Sequence, residues 1–208
     1  MIIKATIRGS GLILATGALA FGASGVLPSL LPANTIPTPF GNTLLLTGSI
    51  LIILALPGMY ARQAEAAGWL GLVGHVLLEV GMVPSVVYAA VPLFYPGINA
   101  PLDGSASTVA DLLGTGWLLG MALTGVAILR ARVYSRGTGI LLLLAAVGFF
   151  FMFPLGDELP PIVAQLGIPI ITLSFASALA WIGFSLWTSP REHDVAVGLE
   201  VSKPADIG

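Results

Sequence analysis

The sequence predicts an all-α polytopic membrane protein, a six-transmembrane-helix bundle with both termini in the cytoplasm (N-in/C-in). Its mean hydropathy of +0.98 and its charged fraction of 9% differ sharply from a soluble domain, of which about a quarter is charged. Six apolar segments follow one another, each near the roughly 20 residues that cross a bilayer. Basic residues occur only in alternate links between these segments, and this pattern predicts the orientation.

The first two segments are predicted as helices over residues 10–32 and 42–61. Lys4 and Arg8 precede the first, and small residues follow in its apolar run, so a cleaved signal peptide is an alternative interpretation. Cleavage would leave five spans and an external N-terminus. The run continues to Leu31, which is long for a signal peptide and favours a retained helix.

The third and fourth helices are predicted over residues 67–95 and 108–130, and the fifth and sixth over 137–156 and 161–188. The links between the segments are short, and those other than the second contain Pro, Gly, Asp or Ser, which favour turns. Residues 1–189 therefore form one transmembrane domain. The remaining residues, 190–208, mix charges with Val, Pro and Gly and are predicted to be a disordered cytoplasmic tail.

The orientation follows from the sorting of charge between the links. All eight Lys and Arg residues lie in the N-terminus, the second link, the fourth link or the tail, and the topogenic ones in the links are Arg62, Arg130, Arg132 and Arg136. The first, third and fifth links, with the adjoining helix end, carry only acids: Asp103, Asp111, Asp157 and Glu158. The positive-inside rule therefore places the even links and both termini in the cytoplasm.

The candidate site lies in the third segment, where Glu79 falls near the middle of the bilayer with His75 one turn before it. An ionisable residue at that depth costs roughly 2.5–3.5 kcal/mol and is a functional hypothesis by default. Gly71, His75 and Glu79 share one helical face, which we expect to face the bundle interior because Gly71 allows a close neighbour. Pro84 should free a backbone carbonyl just beyond Glu79.

The sixth segment offers the other polar residues of a proline-interrupted helix: Gln165, Pro169, Ser174 and Ser177. If the protein has a pathway, the third and sixth segments would line it together. A purely structural role for these polar residues is the alternative. Glu79 and His75 can form a hydrogen bond that stabilises the fold, and Ser in a span often bonds the carbonyl four residues earlier.

Glycines at helical spacing indicate where helices pack closely. Gly116 and Gly120 form a GxxxG pattern in the fourth segment, and Gly71 lies in the third. The preferred interpretation is that these glycines allow helices of the same chain to pack closely. The alternative is that this face mediates homodimerisation.

The sequence contains no Cys, two His and no Lys in a span interior, and it lacks nucleotide-binding, hydrolase and zinc-protease motifs. We therefore predict no enzyme activity, no metal, no cofactor and no nucleic-acid partner. The short links and the absence of Cys favour a bacterial inner membrane over a eukaryotic organelle.

The function predicted from these features is that of a non-enzymatic structural or accessory component, which acts through helix contacts in the bilayer with a membrane-protein partner or a second copy. The alternative is a small ion- or proton-coupled transporter or channel-like protein with Glu79 as its protonatable group. A pathway predicts a water-accessible cavity that touches Glu79.

Overall fold

The computed structural model describes four stretches of the chain, residues 2–31, 38–95, 105–155 and 160–188. The predicted tail and most of the first, third and fifth links lie outside these residues, and so do Asp103, Asp157 and Glu158. Within the described stretches the chain is almost entirely α-helical and contains no strand, which confirms the predicted all-α class.

The described residues form six helical elements. They are α1 (Ile2–Leu30), α2 (Thr38–Gly81), α3 (Val83–Phe94), α4 (Ser105–Ala131), α5 (Arg136–Leu155) and α6 (Pro161–Trp187). By length and composition, four continuous helical stretches of the described chain are long and apolar enough to cross a membrane. They are Thr6–Leu30, Thr38–Phe94, Thr108–Ala131 and Gln165–Trp187, and a shorter apolar helix runs over Arg136–Met152.

The chain reverses within α2 at Gly68, whose backbone has φ +57° and ψ −151°. We call residues 38–67 the first arm of α2 and residues 69–81 its second arm. The reversal brings the ring of Tyr60, in the first arm, onto that of His75, in the second, with 5.2 Å between ring centroids. The predicted segment bounds leave a link at 62–66, and in the structure helix continues through these residues to the turn at Gly68.

The third predicted segment is interrupted, as the position of Pro84 suggested. Backbone hydrogen bonds from Met82 N to Glu79 O (3.2 Å) and from Ser85 N to Met82 O (3.1 Å) span three residues instead of four. Proline at the start of α3 has no N–H to continue the α2 ladder, so a tight turn joins the two helices.

The helices pack as a closed ring. α1 lies between α6 and the first arm of α2, the second arm packs on α4, and α5 closes the ring between α4 and α6. Glycines set several of these contacts: a Cβ on Gly11 would overlap the carbonyl of Gly183, and one on Gly125 would crowd that of Gly139. Small residues thus let the helix backbones approach closely. In lipid such close packing is important, because the hydrophobic effect does not drive helices together there.

An aromatic cluster fills the centre of the ring. Trp117 packs on Phe149 and Phe175 with ring centroids 4.9 and 5.5 Å apart, and Phe175 meets Phe21 at 5.4 Å. All four side chains are buried. The core therefore joins residues from α1, α4, α5 and α6 and leaves the ring closed at this level.

Candidate functional site

His75 and Glu79 form the polar pair that the sequence predicted. His75 Nε2 lies 3.4 Å from Glu79 Oε2, one helical turn away in the second arm of α2. The His75 side chain is buried beneath the Tyr60 ring, which fixes the plane of the imidazole. The sequence pattern did not identify Tyr60 as a partner of His75. The hairpin turn at Gly68 places the two residues opposite each other, because they lie nearly the same number of residues before and after the turn.

Glu79 departs from its expected orientation. Gly71 and His75 are buried, as predicted for an inward face, but the Glu79 side chain is 33% exposed. Its exposed neighbours on the same helix are Val76 and Val80. The carboxylate is therefore partly exposed on the outside of the ring, whereas Gly74 and Gly81 of the same arm pack against α4.

Several buried polar atoms near the Gly68 half of the bundle lack hydrogen-bond partners among the described residues. They include His75 Nδ1, both polar side-chain atoms of Gln63, and Thr124 Oγ1. Gln63 is fully buried, and no sequence pattern had marked it as a candidate. Buried polar groups without hydrogen bonds lower the stability of the fold, so this region of the core is destabilising.

The structure does not bring the candidate residues of α6 to Glu79. Gln165 is exposed, Ser174 donates its hydroxyl to the Ile170 carbonyl (2.9 Å), and Ser177 lines a shallow groove between α1 and α6. Pro169 is buried within α6. Apart from a contact between Arg62 and the last turn of α6, α1 separates α6 from α2 on one side of the ring, and α4 and α5 separate them on the other. The expected path between the third and sixth segments therefore has no shared wall in the described chain.

Of the glycines predicted to pack, Gly120 makes the closest approach. A Cβ on Gly120 would overlap the backbone nitrogen of Leu78, and one on Gly71 would meet Ala67 and approach Tyr60. Gly116 has only the tip of Leu77 within 4 Å. Gly120 therefore serves a contact inside this chain, between α4 and α2, and is not available to a second copy.

Basic side chains converge on one end of the ring. Arg8 Nε donates to the Trp187 carbonyl (3.0 Å) and Arg62 Nη1 to the Ser185 carbonyl (2.9 Å), both in the last turn of α6. Cations are favourable at the C-terminus of a helix, where carbonyls lack intrahelical donors. The exposed residues Arg130, Arg132 and Arg136 flank the α4–α5 link at this same end.

Tyr134, in the α4–α5 link, joins this basic end to the core. Its hydroxyl donates to the Met59 carbonyl (3.0 Å), and the Arg62 guanidinium carbon lies 5.7 Å from the centroid of its ring. Burial raises the pKa of Tyr134 above its ordinary value, although the nearby Arg62 charge acts in the opposite direction. The hydroxyl therefore stays a neutral donor at physiological pH.

A cavity of about 690 Å³ opens at the opposite end of the ring. Its walls come from both arms of α2 and from α3, α4 and α5, and Trp117 of the aromatic cluster is among its lining residues. We call this cavity the vestibule. Neither the vestibule nor the groove between α1 and α6 is lined by Glu79.

Among the described residues no three His, Asp or Glu side chains come together as metal ligands would. Comparisons with protein-family models, with curated proteins and with solved structures found no match to this chain.

Proposed function

We propose that this chain is a six-span integral protein of a bacterial inner membrane with both termini in the cytoplasm. The reversal at Gly68 divides the 57-residue apolar stretch Thr38–Phe94 into two antiparallel parts, each longer than the roughly 20 residues needed to span a bilayer. Basic residues from the N-terminus, from the end of the first arm and from the α4–α5 link meet at one end, as the positive-inside rule requires of a cytoplasmic face.

Within the membrane, the protein acts as a non-enzymatic accessory component through helix contacts with a second membrane protein. The observation that carries this proposal is the partly exposed carboxylate of Glu79 on the outward side of the ring. A carboxylate that faces lipid is costly, and a helix packed over it would remove that cost. No Lys or Arg of this chain lies in a span interior, so a second copy brings no cation to Glu79. A different protein is therefore the better partner.

The transporter alternative has less support. The aromatic cluster fills the ring centre, and the cavities described above are not lined by Glu79. A carboxylate that couples transport needs alternating access to water, and these features favour a lateral contact instead.

Photo-cross-linking in native membranes tests the proposal. A photoreactive residue placed at Val80, on the exposed face beside Glu79, should give a discrete adduct with one protein identifiable by mass spectrometry. Val147 on α5 is the matched control, since it is also an exposed valine (55% against 47%), and it should give lipid adducts only. Glu79→Gln should reduce the Val80 adduct several-fold. Lipid adducts alone at Val80, or the same adduct at both positions, would overturn the accessory role.

A further inference from the structure

We infer that the vestibule is a binding site for a lipophilic organic cation, that is, a compact apolar molecule with one positive charge. The inference does not depend on the accessory role, because Glu79 is not among the residues that line the vestibule. It rests on the shape of the cavity, on the chemistry of its walls and on the distribution of charge in the molecule.

The vestibule exists because α3 diverges from α4. The second arm of α2 packs tightly on α4, with Gly81 against the backbone of Trp117, whereas α3 beyond the turn at Met82 barely touches α4. The resulting space of about 690 Å³ falls in the range of roughly 300–1,000 Å³ that is usual for small-molecule sites. Gly114 widens it further, since a Cβ there would meet nothing within 4 Å.

The walls suit an apolar body with a positive charge. Tyr88, Trp117 and Phe150 supply aromatic rings, and Leu45, Pro84 and Leu118 supply aliphatic surface. Aromatic faces attract cations by roughly 0.5–2 kcal/mol each, most strongly where water is excluded. Tyr88 and Phe150 are more than half exposed, so their rings are available to a ligand.

Asp111 gives the vestibule a negative charge. It is the one charged residue among those that line the cavity, and it lies on the same face of α4 as Gly114 and Trp117. The Thr115 hydroxyl donates to the backbone carbonyl of Asp111 (2.9 Å) and not to its carboxylate. The basic side chains described above cluster at the other end of the ring, and an anion would therefore find no partner in the vestibule.

Two ions of the same shape and opposite charge test the inference. Tetraphenylphosphonium and tetraphenylborate are titrated into the full-length protein in discs of zwitterionic lipid, with empty discs as the background. Saturable, protein-dependent binding of tetraphenylphosphonium, with none of tetraphenylborate, is the expected result. Protein-dependent binding of both ions, or of neither, would overturn the inference.

Variants locate the bound cation. Asp111→Asn should weaken tetraphenylphosphonium binding about fivefold, whereas Glu65→Gln, which removes an exposed acid near Gly68, should leave it unchanged. Gly114→Leu should weaken binding by filling the cavity without removing charge. Equal thermal unfolding of each variant and the parent shows that the fold is intact. Unchanged affinity in Asp111→Asn would place the cation elsewhere and refute the site.

Discussion

Tyr134 is a single residue that ties a link to the core at the basic end of the ring. Its buried hydroxyl donates to the Met59 carbonyl, and its ring lies under Arg62. Tyr134→Phe keeps the ring and removes the hydrogen bond, so it should lower the free energy of unfolding by about 1 kcal/mol. Denaturant unfolding in detergent micelles would measure the difference.

The pH dependence of that difference follows from the raised pKa of Tyr134. A group whose pKa rises on folding contributes stability that is complete below its unfolded pKa, about 10 for Tyr, and is lost as the pH rises through the folded pKa. The destabilisation by Tyr134→Phe should therefore be the same at pH 6 and pH 9. A smaller effect at pH 9 would mean that the hydroxyl ionises in the folded protein near physiological pH.

At the scale of elements, Gly68 decides the path of the chain between the two arms of α2. Its φ of +57° with ψ −151° is a conformation that only glycine adopts readily, and a Cβ there would meet no atom within 4 Å. The cost of Gly68→Ala is therefore backbone strain alone, of order 1–3 kcal/mol. Thermal unfolding would measure it against Gly41→Ala, an equally open helical glycine that should be neutral or slightly stabilising.

Gly120 sets the contact between α4 and the second arm of α2. A Cβ there would overlap backbone atoms of Leu77 and Leu78, which cannot move aside as a flexible side chain can. Gly120→Ala should therefore destabilise the protein by about 1–3 kcal/mol, and by more if α4 is displaced. Gly114→Ala, on the same helix but facing the open vestibule, should gain up to about 1 kcal/mol in helix propensity. Equal unfolding free energies for the two variants would contradict this packing.

The sequence predicted the positions of the helices better than it predicted which side of each helix is buried. Apolar length and prolines mark α1, α4, α5 and α6 and the interruption near Pro84, because those signals are local. The exposure of Glu79 depends on which helices flank the second arm of α2, and a single sequence does not specify that order. The vestibule was missed for the same reason: Asp111 and Phe150 become neighbours of one cavity only when four elements meet.

At the scale of the whole molecule, the ring has two chemically different ends. Arginines bond the C-terminal carbonyls of α6 at one end, and Asp111 lines an aromatic cavity at the other. In the proposed topology this difference between the ends is also the orientation signal, since the positive-inside rule favours basic residues on the cytoplasmic side. In the proposed N-in/C-in topology, the end of the ring that bears Asp111 faces outward.

The proposed topology can be tested with single cysteines, because the natural chain contains none that would react in the background. Ser135→Cys lies in the α4–α5 link at the basic end, and Asp103→Cys lies in the link before α4. Six spans with both termini inside predict that a membrane-impermeant maleimide labels Asp103→Cys in intact cells and Ser135→Cys only after permeabilisation. The reverse pattern would invert the orientation.

A second pair of cysteines distinguishes six spans from fewer. Ala64→Cys lies near the Gly68 reversal and, in the six-span topology, faces the cytoplasm with Ser135→Cys. The N-terminal segment could instead be removed while the rest of the chain keeps its orientation. Ala64→Cys would then still label as an internal site, but a tag placed before Met1 would be lost from the membrane fraction. Labelling of Ala64→Cys in intact cells, with Ser135→Cys protected, would instead show that the two arms of α2 do not form a transmembrane hairpin.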